Sequence, residues 1–157
     1  MRSAQRGFTL IELIMTIVIL GILSAFALPR FADFGGAARL AALQGSLGAV
    51  KSAAAIAHLQ ARVTPPVQVG GKSVIYLEGE AIEMLGLYPA ATMDGIVKAA
   101  QLEENDVIAI SASADGENIN VAIWDNWDCK FNYTLSANWS VPTPSITSDS
   151  LLAENCK

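Results

Sequence analysis

The sequence predicts an α+β protein: one long amino-terminal helix, apolar enough in its first half to span a membrane, packed in its second half on a carboxyl-terminal antiparallel sheet. Three observations predict it. Phe8 to Pro29 (FTLIELIMTIVILGILSAFALP) runs 21 residues before its proline with a single charge, Glu12. Ala37 to Arg62 continues in strong helix formers, with apolar residues at alternating spacings of three and four. Beyond Val63 apolar residues alternate with polar ones in short runs bounded by Gly, Pro, Asp and Asn, which is the period of strands. These changes of pattern divide the chain into residues 1–7, 8–29, 30–62 and 63–157.

Met1 to Gly7 (MRSAQRG) is short, polar and basic. Arg2 and Arg6 ahead of an apolar run hold the amino terminus in the cytoplasm by the positive-inside rule, so the remainder faces outward. At about 1.5 Å per residue, 8–29 makes a helix of about 30 Å, the thickness of a bilayer's hydrocarbon core. A secretory signal is cut after its apolar region. Here the glycine precedes that region, so a cut between Gly7 and Phe8 leaves the apolar helix on the mature chain. Glu12 is costly in lipid unless paired, by several kcal/mol. The amine such a cut frees on Phe8 lies four residues back on the same helical face. A neighbouring copy shifted by one turn, about 5.4 Å, brings its own amine to the same carboxylate.

The residues G-F-T-L-I-E-L, the apolar helix and Pro29 resemble the amino terminus of type IV prepilins and of type II secretion pseudopilins. The resemblance implies the type IV pilin fold, cleavage between Gly7 and Phe8 by a prepilin peptidase, N-methylation of Phe8, and an assembly role for Glu12 as the fifth mature residue. As partners it implies other copies of the chain in a helical filament, an inner-membrane assembly platform with cytoplasmic ATPases, and membrane lipid before assembly. The stretch Gly86 to Ala99 (GLYPAATMDGIVKA) is similar to the matching region of pilins of the mannose-sensitive haemagglutinin (MSHA) class. That class implies attachment to host or abiotic surfaces, with the chain first a single-pass inner-membrane protein and then part of an extracellular pilus. A type II pseudopilin shares the first 30 residues. A single-span ligand-binding protein would use the helix only as an anchor.

Along the helix, Gly21 and Ala25 form a small-xxx-small pair that permits close helix approach. Pro29 removes the hydrogen bond to the Ala25 carbonyl and is expected to kink or loosen the helix, with Gly35-Gly36 a second soft point. Leu40, Leu43, Leu47, Val50, Ala54 and Ala57 form one apolar stripe. The expected object is a single helix from about Phe8 to Ala61, stopped by Pro65-Pro66. Val67 to Leu77 reads as two strands around Gly70-Gly71. Glu78 to Gln101 reads as a loop with one or two short helices. Three strands follow, Val107 to Ser113, Asn118 to Trp124 and Lys130 to Ser136, with Asp115-Gly116 as a turn. Ala137 to Asn155, rich in Ser, Thr, Pro and Asn, reads as an irregular surface loop.

The formal net charge is −5, and removal of Arg2 and Arg6 leaves 8 basic against 15 acidic residues, a net −7. An acidic exported part argues against a nucleic-acid partner. No catalytic constellation is present: His58, the single histidine, has no positioned partner in the sequence. Gly70-Gly71 lacks the spacing of a phosphate-binding loop. A Cys/His metal site has too few ligands. In an exported chain Cys129 and Cys156 default to a disulfide, as in the carboxyl-terminal region of type IV pilins, worth about 3 to 4 kcal/mol on the chain-entropy model. Asp125, Asn126 and Asp128 in WDNWDC offer oxygen ligands for calcium, against a plain strand-to-strand turn. Trp124, Trp127 and Trp139 offer faces for sugar stacking, against packing in the core or between subunits. Asn132-Tyr133-Thr134 and Asn138-Trp139-Ser140 match the glycosylation sequon.

Overall fold

The computed structural model describes residues 8–113, 116–135, 143–152 and 154–156, and not the side chains of Ala32 and Asp33. The leader residues Met1 to Gly7, Asp115, Trp139 and the second sequon lie outside the described residues. Helix α1 spans Leu10–Val63, two residues later at each end than expected. Thr9 caps it: its Oγ1 accepts the Glu12 amide N–H at 3.4 Å and donates to the Glu12 carboxylate at 3.2 Å. Thr-x-x-Glu is a capping pattern, and a carboxylate in the first turn suits the helix dipole. Pro29 lies inside α1, so the expected loosening does not end the helix. The chain divides into two units, residues 1–35 and 36–157.

In the first unit the large apolar side chains from Leu10 to Phe31 are exposed, with Glu12 and Arg30 the charged residues among them. Its hydroxyls turn inward, Thr16 donating to the Leu13 carbonyl and Ser24 to that of Leu20. A helix that satisfies its own polar groups and shows hydrocarbon outward suits lipid or partner helices. It is long and apolar enough to cross a membrane.

In the second unit α1 is amphipathic, as its spacing requires. Leu43, Val50, Ala54 and Ala57 of the stripe are buried, while Leu40 and Leu47 pack partly buried at its margin. Thr64 donates its N–H to Gln60, and Pro65-Pro66 follow. β1 (Val67–Val69) and β2 (Lys72–Leu77) form the expected hairpin, with Gly70 and Gly71 both at positive φ. That backbone is what a two-residue hairpin turn demands.

The next segment departs from expectation. Glu78 to Gln101 holds one short helix, a π-helical turn at Met93–Val97, but what precedes it is not loop: it contributes β3 (Glu80–Leu85) and β4 (Tyr88–Pro89). β1 to β4 make one antiparallel sheet in chain order. Ile82 and Met84 point inward beside Ile75, Ala57 and Ala61, and this burial overrides the helix preference of EAIEML. Gly95 makes the π-turn possible, because a Cβ there would meet the Ala90 carbonyl oxygen, which instead accepts the Ile96 N–H at 2.9 Å.

The three strands expected after Val107 are present and, with one more, form a second four-stranded antiparallel sheet: β5 (Ile108–Ala112), β6 (Asn118–Ile123), β7 (Asn126–Thr134) and β8 (Ser145–Thr147), in that order. β8 falls in the segment read as irregular; its three residues are too few to show a period. Ile119, Val121 and Ile123 face inward with Phe131, Tyr133 and Leu135, against Leu43 and Val50 of α1. β7 begins four residues earlier than expected, because the register slips after Ala122: Ala122 pairs Lys130 while Ile123 pairs Asn126. Tyr133 joins the two sheets, its hydroxyl donating to the Pro89 carbonyl at 2.8 Å.

Candidate assembly site and surface

The amino-terminal features converge on one turn of helix. Phe8 is exposed and adjoins the cap, and Glu12 is tied to Thr9. The cap is a role for Glu12 that the sequence reading missed, although Thr9-x-x-Glu12 spelled it out. Glu12 is the single acid in the first turn, within a surface otherwise made of Leu, Ile, Met and Val. Such a surface, far larger than an isolated apolar patch, calls for lipid or for other copies of the same helix. Gly21 has open space where a Cβ would stand, so a second backbone can approach there.

At the other end, Cys129 and Cys156 form a disulfide, Cα–Cα 4.9 Å, with both residues buried in the core. The slip in β7 turns Cys129 inward. Two side-chain bonds support the clasp: the Asn126 amide donates to the Asn155 carbonyl at 2.7 Å, and the Ser150 hydroxyl to the Lys130 carbonyl at 3.1 Å.

That bonding bears on the calcium candidates. Asn126 Oδ1 accepts the Asp128 N–H at 3.1 Å, an Asx turn that uses the oxygen a cation would want. Asp125 and Asp128 are exposed, and no group of three or more His, Cys, Asp or Glu residues with metal-site geometry occurs among the described residues. Trp124 and Trp127 are 54% and 45% exposed, so neither packs in the core of this chain. Trp124 borders an open cleft of about 390 Å³ with Glu104, Asn105 and Asp106. Two of these are held rigidly: Glu104 accepts the Ile110 N–H, and Asn105 those of Val107 and Ile108. The sequon asparagine Asn132 lies mid-sheet, with its amide oxygen buried and without a hydrogen-bond partner among the described residues. His58 stacks on Tyr88 at 4.3 Å, its Nδ1 3.2 Å from the Leu87 carbonyl, which is packing and not a catalytic setting.

Surface charges pair locally on the sheet side. Lys72 bridges Glu83 at 3.1 Å and Asp94 at 3.4 Å, and Lys98 pairs with Glu80 at 2.8 Å. The hydrogen bond and charge of Lys98 hold the Glu80 carboxyl below the usual range, and Glu80 in turn raises the Lys98 ammonium.

Comparison with known proteins agrees with this anatomy. Residues 2–28 match the prokaryotic N-terminal methylation motif. A type IV narrow pilus major component, PilA5 of Thermus thermophilus, is 52% identical over 60 residues, 38% of this chain and 52% of that protein, so the match spans about half its length. The fimbrial protein EcpC of Eikenella corrodens is 25% identical over 152 residues, 92% of this chain and 99% of that protein. A fimbrial protein of Pseudomonas aeruginosa is 29% identical over 151 residues, 86% and 91% of the two chains. No solved structure matches. The chain has the methylation motif and the helix-plus-sheet arrangement of a type IV pilin, and its relatives are structural pilins, a non-enzymatic family.

Proposed function

We propose that this chain is a structural subunit of an extracellular type IV pilus of the mannose-sensitive haemagglutinin class, used for surface attachment. The observation that carries the reading is the exposed apolar helix with its single capped carboxylate, Glu12, directly after Gly7-Phe8. In this reading a prepilin peptidase cuts between Gly7 and Phe8, and the new amine is methylated. The subunit waits in the inner membrane until an assembly platform transfers it to the filament. Pairing of Glu12 with the Phe8 amine of an adjacent copy neutralises both charges as the helices leave lipid. The class follows from the likeness of Gly86 to Ala99, and attachment from the exposed Trp124 and Trp127.

Replacing Glu12 by Ala in the source cells tests the reading. Filaments carrying the chain should fall to background while the processed protein stays in the membrane. Normal filaments from Glu12→Ala cells would overturn the assembly role.

A further inference from the structure

Within the second unit, α1 separates two flanks of opposite charge. On one flank Ala53 and Ile56 of the helix, the β2–β3 turn and residues 98–103 enclose a cleft of about 740 Å³. Ile56, Leu77, Ile82 and Leu102 give it apolar walls, and Glu78, Glu80 and Glu103 line it with carboxylates. Lys98 is the one cation there, already paired with Glu80, so the lining keeps a net charge of −2. Glu78 and Gln101, both in this lining, hold left-handed backbone at φ 51, a conformation non-glycine residues adopt at a cost.

The other flank is basic. Lys51 borders a shallow groove with His58, Leu59 and Tyr88, and Arg62 follows three turns on. At 100° per residue Lys51 and Arg62 lie about 20° apart on the helix, and Ile56 lies at least about 120° from either. Both cations are exposed, and neither has an ion-pair partner among the described residues.

We propose that a second copy of this chain docks alongside the first, seating its Lys51–Arg62 face in the acidic cleft of its neighbour. Long basic side chains fit such a cleft, with aliphatic stems against the walls and charged heads at the carboxylates. The two faces differ and lie on opposite flanks, so the contact is heterologous: each copy uses one face toward each neighbour, and the series stays open. The proposal rests on the pilus-subunit reading and adds to it a contact outside the apolar helix, one that sets register between subunits by charge.

Charge exchange in the full chain, expressed in source cells lacking their own copy, tests it. Lys51→Glu with Arg62→Glu, and separately Glu78→Lys with Glu103→Lys, should each cut sheared filaments about tenfold. All four together should restore them, with processed, disulfide-bonded protein at wild-type level throughout. Unchanged filaments in both paired variants would overturn the proposal, as would stable protein without recovery in the fourfold one. Should a variant be unstable, Lys51→Cys with Glu103→Cys in intact filaments, treated with a short bis-maleimide, should give a ladder of multimers; monomers alone would overturn it. Wild-type filaments lacking this chain would instead defeat the underlying pilus reading.

Discussion

Tyr133 shows how one side chain can hold two sheets together. Its ring is fully buried, its hydroxyl donates to Pro89 across the core, and burial pushes the phenol well above its ordinary value of 10. The fold therefore favours the neutral form: this contribution is complete below about pH 10 and is lost as pH rises through the raised value. Tyr133→Phe leaves the Pro89 carbonyl unpaired and should cost about 1 to 2 kcal/mol in denaturant unfolding of the detergent-solubilised chain. It should also flatten the loss of stability above pH 10. Lys72 and Lys98, raised by their carboxylate partners, titrate in the same window. They are common to both proteins, so the difference between wild type and variant isolates the phenol. At this scale the sequence was explicit about burial, since Phe131, Tyr133 and Leu135 alternate, and silent about the partner, which lies 44 residues away.

Among the elements, β7 and the segment it clasps depend most on a covalent bond. β8 is three residues long and pairs only with β7, so the disulfide does much of the work of fixing the carboxyl-terminal chain. Cys129→Ser with Cys156→Ser should lower unfolding stability by about 3 to 4 kcal/mol on the chain-entropy model. A loss below about 1 kcal/mol would place the stabilisation in the Asn126 and Ser150 bonds instead. The helix was legible from sequence because 3.6-residue periodicity persists from Leu40 to Ala57. β3 was not, because Glu, Ala, Met and Leu favour helix locally and only packing of Ile82 and Met84 makes the segment a strand. The Glu78-Gly79 pair, both at positive φ between Leu77 and Glu80, was the available hairpin signal.

For the whole molecule, the amino-terminal features were written in contiguous residues, which is why Gly7, Phe8 and Glu12 could be singled out without a structure. The charged flanks were not, since Glu78 and Glu103 share a cleft only after the first sheet and residues 98–103 have folded against the helix. The exposed tryptophans fall between these cases: their identity was plain, and their exposure depended on the irregular register of β7. In the proposed function the chain is one polymer subunit whose apolar helix passes from lipid to filament. Intact-mass spectrometry of sheared surface filaments tests that claim most directly. The expected result is abundant filaments carrying this chain from Phe8, with one added methyl and a closed disulfide. Filaments lacking this chain, with the processed protein confined to the membrane fraction, would contradict it and point to a pseudopilin.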